Sequence, residues 1–327
     1  IEAVLSGILL QWHMPDRTRK RPQRRLRIAI VGGGKVGSVL GRILLEEGCA
    51  ISAVVSRTPA SARRAGRFLS CTNTGTSLDA IPLDTDLLFI TTPHSAVESV
   101  ARALAAQPAL RFPRLAACHA SGMLTAVALL PLENRGTTVF SFHPLQTFPR
   151  DFPPAKISAR GITYGVDGSP EGVRYARRLA RILGGSVLEV PPELRSFYHA
   201  ACVVASNHLT TLLWVLERMF SHLGTGERDF IRVFRPIIHA TLENIERTSP
   251  ATAMSGPVAR GGVETVAEHF DTVRAVAPEL LPIFSALTRE SVGLAIAKGS
   301  ITEERAQELL ACTFAAGGAE TTKPEAR

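Results

Sequence analysis

Residues 27–37 spell RIAIVGGGKVG, and this stretch decides the fold. Positions 27–31 form a short, almost unbroken apolar run, as expected of a strand buried on both faces of a parallel sheet. A Gly-x-Gly-x-x-Gly turn follows at once, and 38–47 then places Val39, Leu40, Ile43 and Leu44 at the spacing of an amphipathic helix. A glycine turn between a buried strand and a helix is the context that makes this motif specific for a dinucleotide. Gly32 is expected to permit the tight turn, Gly34 to let a pyrophosphate approach the backbone, and Gly37 to let helix and strand pack closely. Lys35 and Val36 open the helix, whose free first-turn amides and positive end favour phosphate.

Working outward, strands and helices alternate. AISAVV at 50–55 predicts a second strand, and 59–69, rich in Arg and Ala, a second helix. DLLFI at 86–90 predicts a buried strand ending at Thr91-Thr92-Pro93, with a helix over 94–106. Further strands are predicted over 115–118, 138–142 and 161–166. The alternation implies an α/β fold with a doubly wound, mostly parallel sheet. After residue 190 only helical patterns remain, over 193–223, 228–247, 263–270, 279–299 and 301–311. The predicted organisation is a disordered basic leader at 1–25, a cofactor-binding α/β domain at 26–190, an all-α substrate and pairing domain at 191–312, and a loose tail at 313–327.

The net charge of +8 resembles a nucleic-acid signal until it is located. RTRKRPQRRLR at 17–27 carries seven basic residues, and without them the chain holds 30 basic against 29 acidic side chains. No aromatic residue interleaves with that run, so a basic leader is favoured over a nucleic-acid or membrane interface. The first methionine is Met14, which leaves 1–13 as a translated upstream stretch or an added segment. Ile8-Leu9-Leu10 is too short an apolar core for a secretory signal. The uncharged stretches 115–132 and 197–216 approach the length of a membrane span, but their interior His, Ser, Thr and Asn favour buried core, and no membrane contact is expected. Cysteines at 49, 71, 118, 202 and 312 show neither a CxxC nor a metal-ligand spacing, so reduced cytoplasmic thiols and no metal are expected.

The end of the second strand bears on the choice of dinucleotide. An Asp or Glu normally holds the ribose 2′-hydroxyl there; this chain has Ser56-Arg57-Thr58. Arg57 can pair with a 2′-phosphate while Ser56 and Thr58 offer hydroxyls, which favours NADP(H) over NAD(H). Thr91, Thr92 and Pro93 stand where a nicotinamide ribose would be bordered, although a helix capped by Thr92 explains the same residues. CHASG at 118–122 and FHPLQTF at 142–148 end two further strands. They bring His119, Ser121, His143 and Gln146 to one sheet edge, either as proton donors and substrate ligands or as hydrogen-bonded structural residues. His199, Val203 and Asn207 recur every four residues on the long uncharged helix, where a bound substrate or a core network would satisfy their polar groups. The loop 255–262 (SGPVARGG) offers Arg260 as a carboxylate ligand or a helix cap. No residues support a hydrolase or kinase reading.

The series GGGKVG, TTP, CHASG, FHPLQTF, YHAA–N and SGPVARGG resembles a little-characterised family of Rossmann proteins with a C-terminal helical domain of unknown function, over residues 26–310. That family is similar in architecture to ketopantoate reductase, pyrroline-5-carboxylate reductase and the 6-phosphogluconate dehydrogenase-like group. The resemblance implies a 6-phosphogluconate dehydrogenase-like helical domain, homodimer formation through it, and a small-molecule substrate in the interdomain cleft. It implies an NADPH-dependent oxidoreductase acting on a small carbonyl or imine carboxylate, with ketopantoate favoured. One departure stands out. Related dehydrogenases place a Lys four residues before an Asn on the first long interdomain helix, and here that position is Val203. His199 is the expected substitute proton donor, with His119 next and Asn207 and Ser121 assisting. The missing Lys equally suits a non-catalytic NADP(H)-binding sensor or scaffold.

Overall fold

The computed structural model describes residues 24–108, 110, 112–149, 151, 153–224 and 230–314, the side chain of Phe314 excepted. The leader expected at 1–25 and the tail at 313–327 therefore fall almost wholly outside the described residues. The chain forms two compact units, one ending at Ala205 and one beginning at Ser206.

In the first unit, β1 (Arg27–Val31), β2 (Ala50–Val55), β3 (Thr74–Gly75), β4 (Leu87–Ile90), β5 (Ala116–His119) and β6 (Thr138–Ser141) form one parallel sheet in the order β3-β2-β1-β4-β5-β6. Helices α1 (Lys35–Glu46), α2 (Pro59–Phe68) and α3 (His94–Ala105) make the crossovers, and α4 (Leu130–Glu133) lies between β5 and β6. The apolar runs are unbroken because both sheet faces are covered. Ile28, Ile30, Leu87 and Phe89 pack with Leu40 and Leu44 on one side. Ala29, Val31, Leu88 and Ile90 pack with Val97, Ala101 and Leu104 on the other. Each Leu or Ile so buried stabilises the unit by about 1.5–3 kcal/mol. Strand order reverses between β1 and β4, and in open α/β sheets ligands bind beyond the carboxyl ends of the strands at such a point.

The strand expected at 161–166 does not join this sheet. It is β8 (Thr163–Val166), held in a separate three-stranded sheet with β7 (His143–Pro144), antiparallel, and β9 (Ser186–Glu189), parallel. Pro144 lacks an N–H to donate to a central ladder, so the chain leaves β6 and uses it on an edge. Strand β9 carries little apolar signal because most of it is exposed. Between β8 and β9 runs α5 (Pro170–Ile182), started by Pro170 and capped by Ser169, whose hydroxyl accepts from Gly172 N–H.

Helix α6 (Arg195–Val203) belongs to the first unit, so that unit extends past the boundary expected at 190. The reason is packing: Arg195 and Tyr198 are both buried in it. A π-helical turn at Val204–His208 follows, so the four-residue spacing linking His199, Val203 and Asn207 does not hold across it.

The second unit contains α7 (Leu209–Ser221), α8 (Phe230–Arg247), α9 (Pro250–Ala253), α10 (Val263–Val276), α11 (Leu281–Lys298) and α12 (Glu303–Phe314). Its core is small: Val266, Phe270, Val292, Ala306 and Leu309 form one cluster, Val215, Val273, Ala277 and Leu280 another. The uncharged stretch 197–216 is not the buried core it was expected to be. Phe197 is 76% exposed and Trp214 54%, and Val204, Leu209 and Leu212 are exposed as well. Among the described residues the chain provides no apolar surface to cover them. By length and composition alone, Pro192–Ser221 and Pro278–Lys298 would each suffice to cross a membrane.

Candidate functional site

The glycine turn is built by close contacts with β4. Gly32 has φ +112°, and a Cβ there would lie 2.7 Å from the Thr92 nitrogen. Thr91 Oγ1 donates to the Gly32 carbonyl at 2.6 Å and occupies the space a Cβ on Gly37 would need. Gly33 N–H donates to Ser56 Oγ at 2.8 Å, which ties the turn to the end of β2. Gly34 differs: no other atom lies within 4 Å of where its Cβ would stand. As N-cap of α1 it brings no side-chain acceptor to the first turn, and first-turn amides have no partner inside a helix. Lys35 and Val36 are half-buried at that turn. Thr58 caps α2 by accepting from Ser61 N–H at 3.3 Å. Arg57 is exposed and takes no part in the ion pairs among the described residues.

Thr92 does not cap α3. The N-cap is Pro93, with no side-chain capping bond. The Thr92 hydroxyl is instead buried without a hydrogen-bond partner. Unpartnered buried hydroxyls are costly, so this oxygen is a natural ligand contact. It borders a cleft of about 220 Å³ lined by Val36, Thr91, Thr92, His94, Ala120, Ser121, Gly122, Met123 and His199. The cleft thus runs from the first turn of α1 to α6, and its lining has hydroxyl and imidazole groups but no Lys, Arg, Asp or Glu.

Of the expected histidines, His199 lines this cleft, and His143 packs against it and against Gly122. The α-carbon of Gly122 packs between their rings: a Cβ there would collide with His199 Nδ1 and stand 2.9 Å from His143 Nε2. The rings approach edge-on, with centroids 5.8 Å apart. His143 Nδ1 hydrogen-bonds the Tyr198 hydroxyl at 2.8 Å. Burial, then the positive Arg195, then His199 and His119 push the His143 pKa down to about 4. His199 Nδ1 is buried without a partner. Hydrogen on Nε2 is the tautomer that strands no N–H at that position.

His119 does not fit the proton-donor role expected of it. It is wholly buried, Nε2–H donates to the Thr125 carbonyl at 2.9 Å, and Nδ1 accepts from Ser121 N–H at 3.2 Å. Both ring nitrogens are engaged, and burial lowers its pKa. Gln146 is likewise spent on structure: its amide donates to the Ser158 carbonyl and its oxygen accepts from Thr147 N–H. Ser121 Oγ accepts from Met123 and Leu124 N–H and keeps its own hydrogen to donate. Asn207 and Arg260 belong to the second unit, where both are exposed.

Sequence reasoning missed Arg195 and Asp167. Arg195 is 2% exposed, with Nη1 3.1 Å from Asp167 Oδ2. Its Nε donates to the Gly122 carbonyl and its Nη2 to the Ser121 carbonyl, both at 2.9 Å. The available signal was a solitary Arg heading a long uncharged helix. Its partner, 28 residues earlier in the sequence, carried none.

Residues 13–144 match the model of a Rossmann-like domain, and 162–291 match a domain of unknown function, DUF2520. No curated protein matches the chain. Among solved structures, a candidate NADP oxidoreductase from Bacteroides fragilis is 20% identical over 82% of this chain and 98% of its own, with a TM-score of 0.65. A reductive aminase from Aspergillus terreus, in complex with NADPH, is 16% identical over 90% and 94%, with a TM-score of 0.54. A pyrroline-5-carboxylate reductase from Coxiella burnetii is 14% identical over 89% and 97%, with a TM-score of 0.52. At these identities the likeness is one of fold. This chain joins a Rossmann-like domain to a C-terminal DUF2520 domain.

Proposed function

We propose that the protein is an NADPH-dependent oxidoreductase that reduces a small carbonyl or imine carboxylate, with a ketopantoate-like 2-oxo acid favoured. One observation carries this reading: a single cleft joins the first turn of α1, the unpartnered Thr92 hydroxyl and His199. The residues fit a nicotinamide dinucleotide. The open Gly34 and the first turn of α1 suit a pyrophosphate, Arg57 and Thr58 suit a 2′-phosphate, and Thr91 and Thr92 suit the nicotinamide ribose. Such a cofactor supplies hydride when bound. Ser121 and the His199 Nε2–H would hydrogen-bond the substrate oxygen or nitrogen, and the imidazolium form of His199, having taken a proton from solvent, would donate the proton that balances the reduction and return to the neutral ring. His143, fixed by Tyr198, keeps its ring beside Gly122 and crowds water from that wall.

The first-unit cleft offers a carboxylate no cation among its lining residues; Arg260 as a substrate ligand and Asn207 as a catalytic assistant are proposed roles. We also propose a homodimer through the second unit. Helix α8 buries none of its residues, and Ile231, Val233, Ile237 and Leu242 are exposed along it. The deciding experiment is NADPH oxidation by purified protein across a panel of 2-oxo and imino acids. Turnover of one class with kcat/KM clearly above the rest is expected. NADPH binding without turnover of any would overturn the enzyme reading in favour of a sensor.

A further inference from the structure

We propose that Arg195, paired with Asp167, is a positioning residue that sets His199 at the cleft, and His143 beside it, by clamping the Ser121–Gly122 backbone. The inference rests on the proposed site for its purpose, but its geometry stands apart from any cofactor or reaction. Arg195 uses three nitrogens. Nε and Nη2 hold the carbonyls of Gly122 and Ser121, and Nη1 faces the Asp167 carboxylate. Asp167 is itself anchored: Oδ1 accepts from Ala126 N–H, and Oδ2 accepts from the Ser141 hydroxyl at 2.6 Å. Ser141 ends β6, and its hydroxyl accepts from the Asp167 N–H at 2.9 Å. The guanidinium is therefore fixed to the sheet edge, and the loop is fixed to the guanidinium.

Two routes lead from Arg195 to the imidazoles. The first runs through Gly122, whose α-carbon is the spacer between His199 Nδ1 and His143 Nε2. The second runs through Tyr198, whose ring lies 5.2 Å from the guanidinium carbon and whose hydroxyl holds His143 Nδ1. Arg195, Tyr198 and His199 stand at i, i+3 and i+4 on α6, so one helical turn delivers clamp, tether and candidate donor together. A planar fork with donors in fixed directions can hold two carbonyls and a carboxylate at once, and a lysine ammonium cannot match that geometry. A buried pair also costs desolvation that an apolar pair would avoid. A positioning duty explains why this charge stands at the wall of the site.

The test compares Arg195→Lys with Asp167→Asn in the full chain. Arg195→Lys keeps the positive charge and loses the fork. Asp167→Asn keeps an acceptor for Ala126 N–H and loosens the guanidinium. The readouts are thermal melting, NADPH affinity by fluorescence, and imidazole NMR of isotope-labelled histidine, with His143 and His199 assigned by His143→Gln and His199→Gln. Both variants are expected to fold and to bind NADPH within about twofold of the parent, because the glycine turn is untouched. The His143 and His199 resonances and titration midpoints should move in both. If substrate turnover is found, kcat should fall roughly tenfold or more with little change in KM for NADPH. Unmoved histidine resonances in a folded Arg195→Lys protein would overturn the proposal. So would failure of both variants to fold, which would make the pair a folding determinant only. The spectra need no turnover, so a protein inactive on every substrate still decides the question.

Discussion

The Tyr198 hydroxyl and His143 Nδ1 lie 2.8 Å apart. Burial pushes the Tyr198 phenol above the ordinary tyrosine range, so it stays protonated, and its bond to Nδ1 holds His143 in one tautomer. Tyr198→Phe should strand Nδ1 without a partner and cost about 1–3 kcal/mol of stability. Urea denaturation measures the loss, and imidazole NMR should show the fixed tautomer replaced by exchange between two.

His143 also predicts a pH dependence of stability. Its pKa falls from 6.5 to about 4 in the folded protein. Between those values the unfolded chain binds the proton and the folded chain does not. Stability therefore decreases as pH drops from about 6.5 to about 4 and levels off below, by about 3 kcal/mol for this group. His119, whose pKa is also lowered by burial, acts in the same sense. Denaturant midpoints across this range should show the slope, and His143→Gln should flatten part of it.

Gly34 and Gly37 should respond differently to the same substitution. Gly34→Ala enters open space, so stability should change by less than about 0.5 kcal/mol while NADPH affinity falls. Gly37→Ala meets Thr91 Oγ1 and the Gly32 carbonyl and should lose about 1–3 kcal/mol as well. Melting curves with and without NADPH separate the two effects.

Arg57→Glu should weaken NADPH binding far more than NADH binding, because a phosphate partner becomes a like charge. Titration with both cofactors checks this. Equal losses would show that Arg57 does not read the 2′-phosphate.

Ile237→Glu places a charge at an exposed apolar position of α8. Sedimentation should find a dimer for the parent and a monomer for the variant, with the melting temperature of the first unit little changed. A monomeric parent would refute pairing through this helix.

Several elements were legible before any coordinates. The run at 27–31 alternates Ile28 and Ile30 against Ala29 and Val31, and only burial on both faces lets all four be apolar. The glycine turn was legible because its strand and helix are contiguous in sequence. The second sheet was not, since β7 holds two residues and β9 is mostly exposed. Nor was the exposure of 197–216, because an apolar helix looks the same whether its partner is its own chain or another.

The site divides the same way. Local order in the sequence determined the glycine turn, the strand-end placement of Thr91 and Thr92, and the candidacy of His119, His143 and His199, because each lies beside an element whose type its neighbours dictate. Only the tertiary structure decided that His199, of these three, faces the cleft. His119 found its partners at Thr125 and Ser121, while Gly122 brought His143 and His199 together across 56 residues of chain. The Asp167–Arg195 pair belongs wholly to the tertiary level. Its worth depends on burial and on two carbonyls arriving from a distant loop, and neither distance nor desolvation is encoded in the local pattern around either residue.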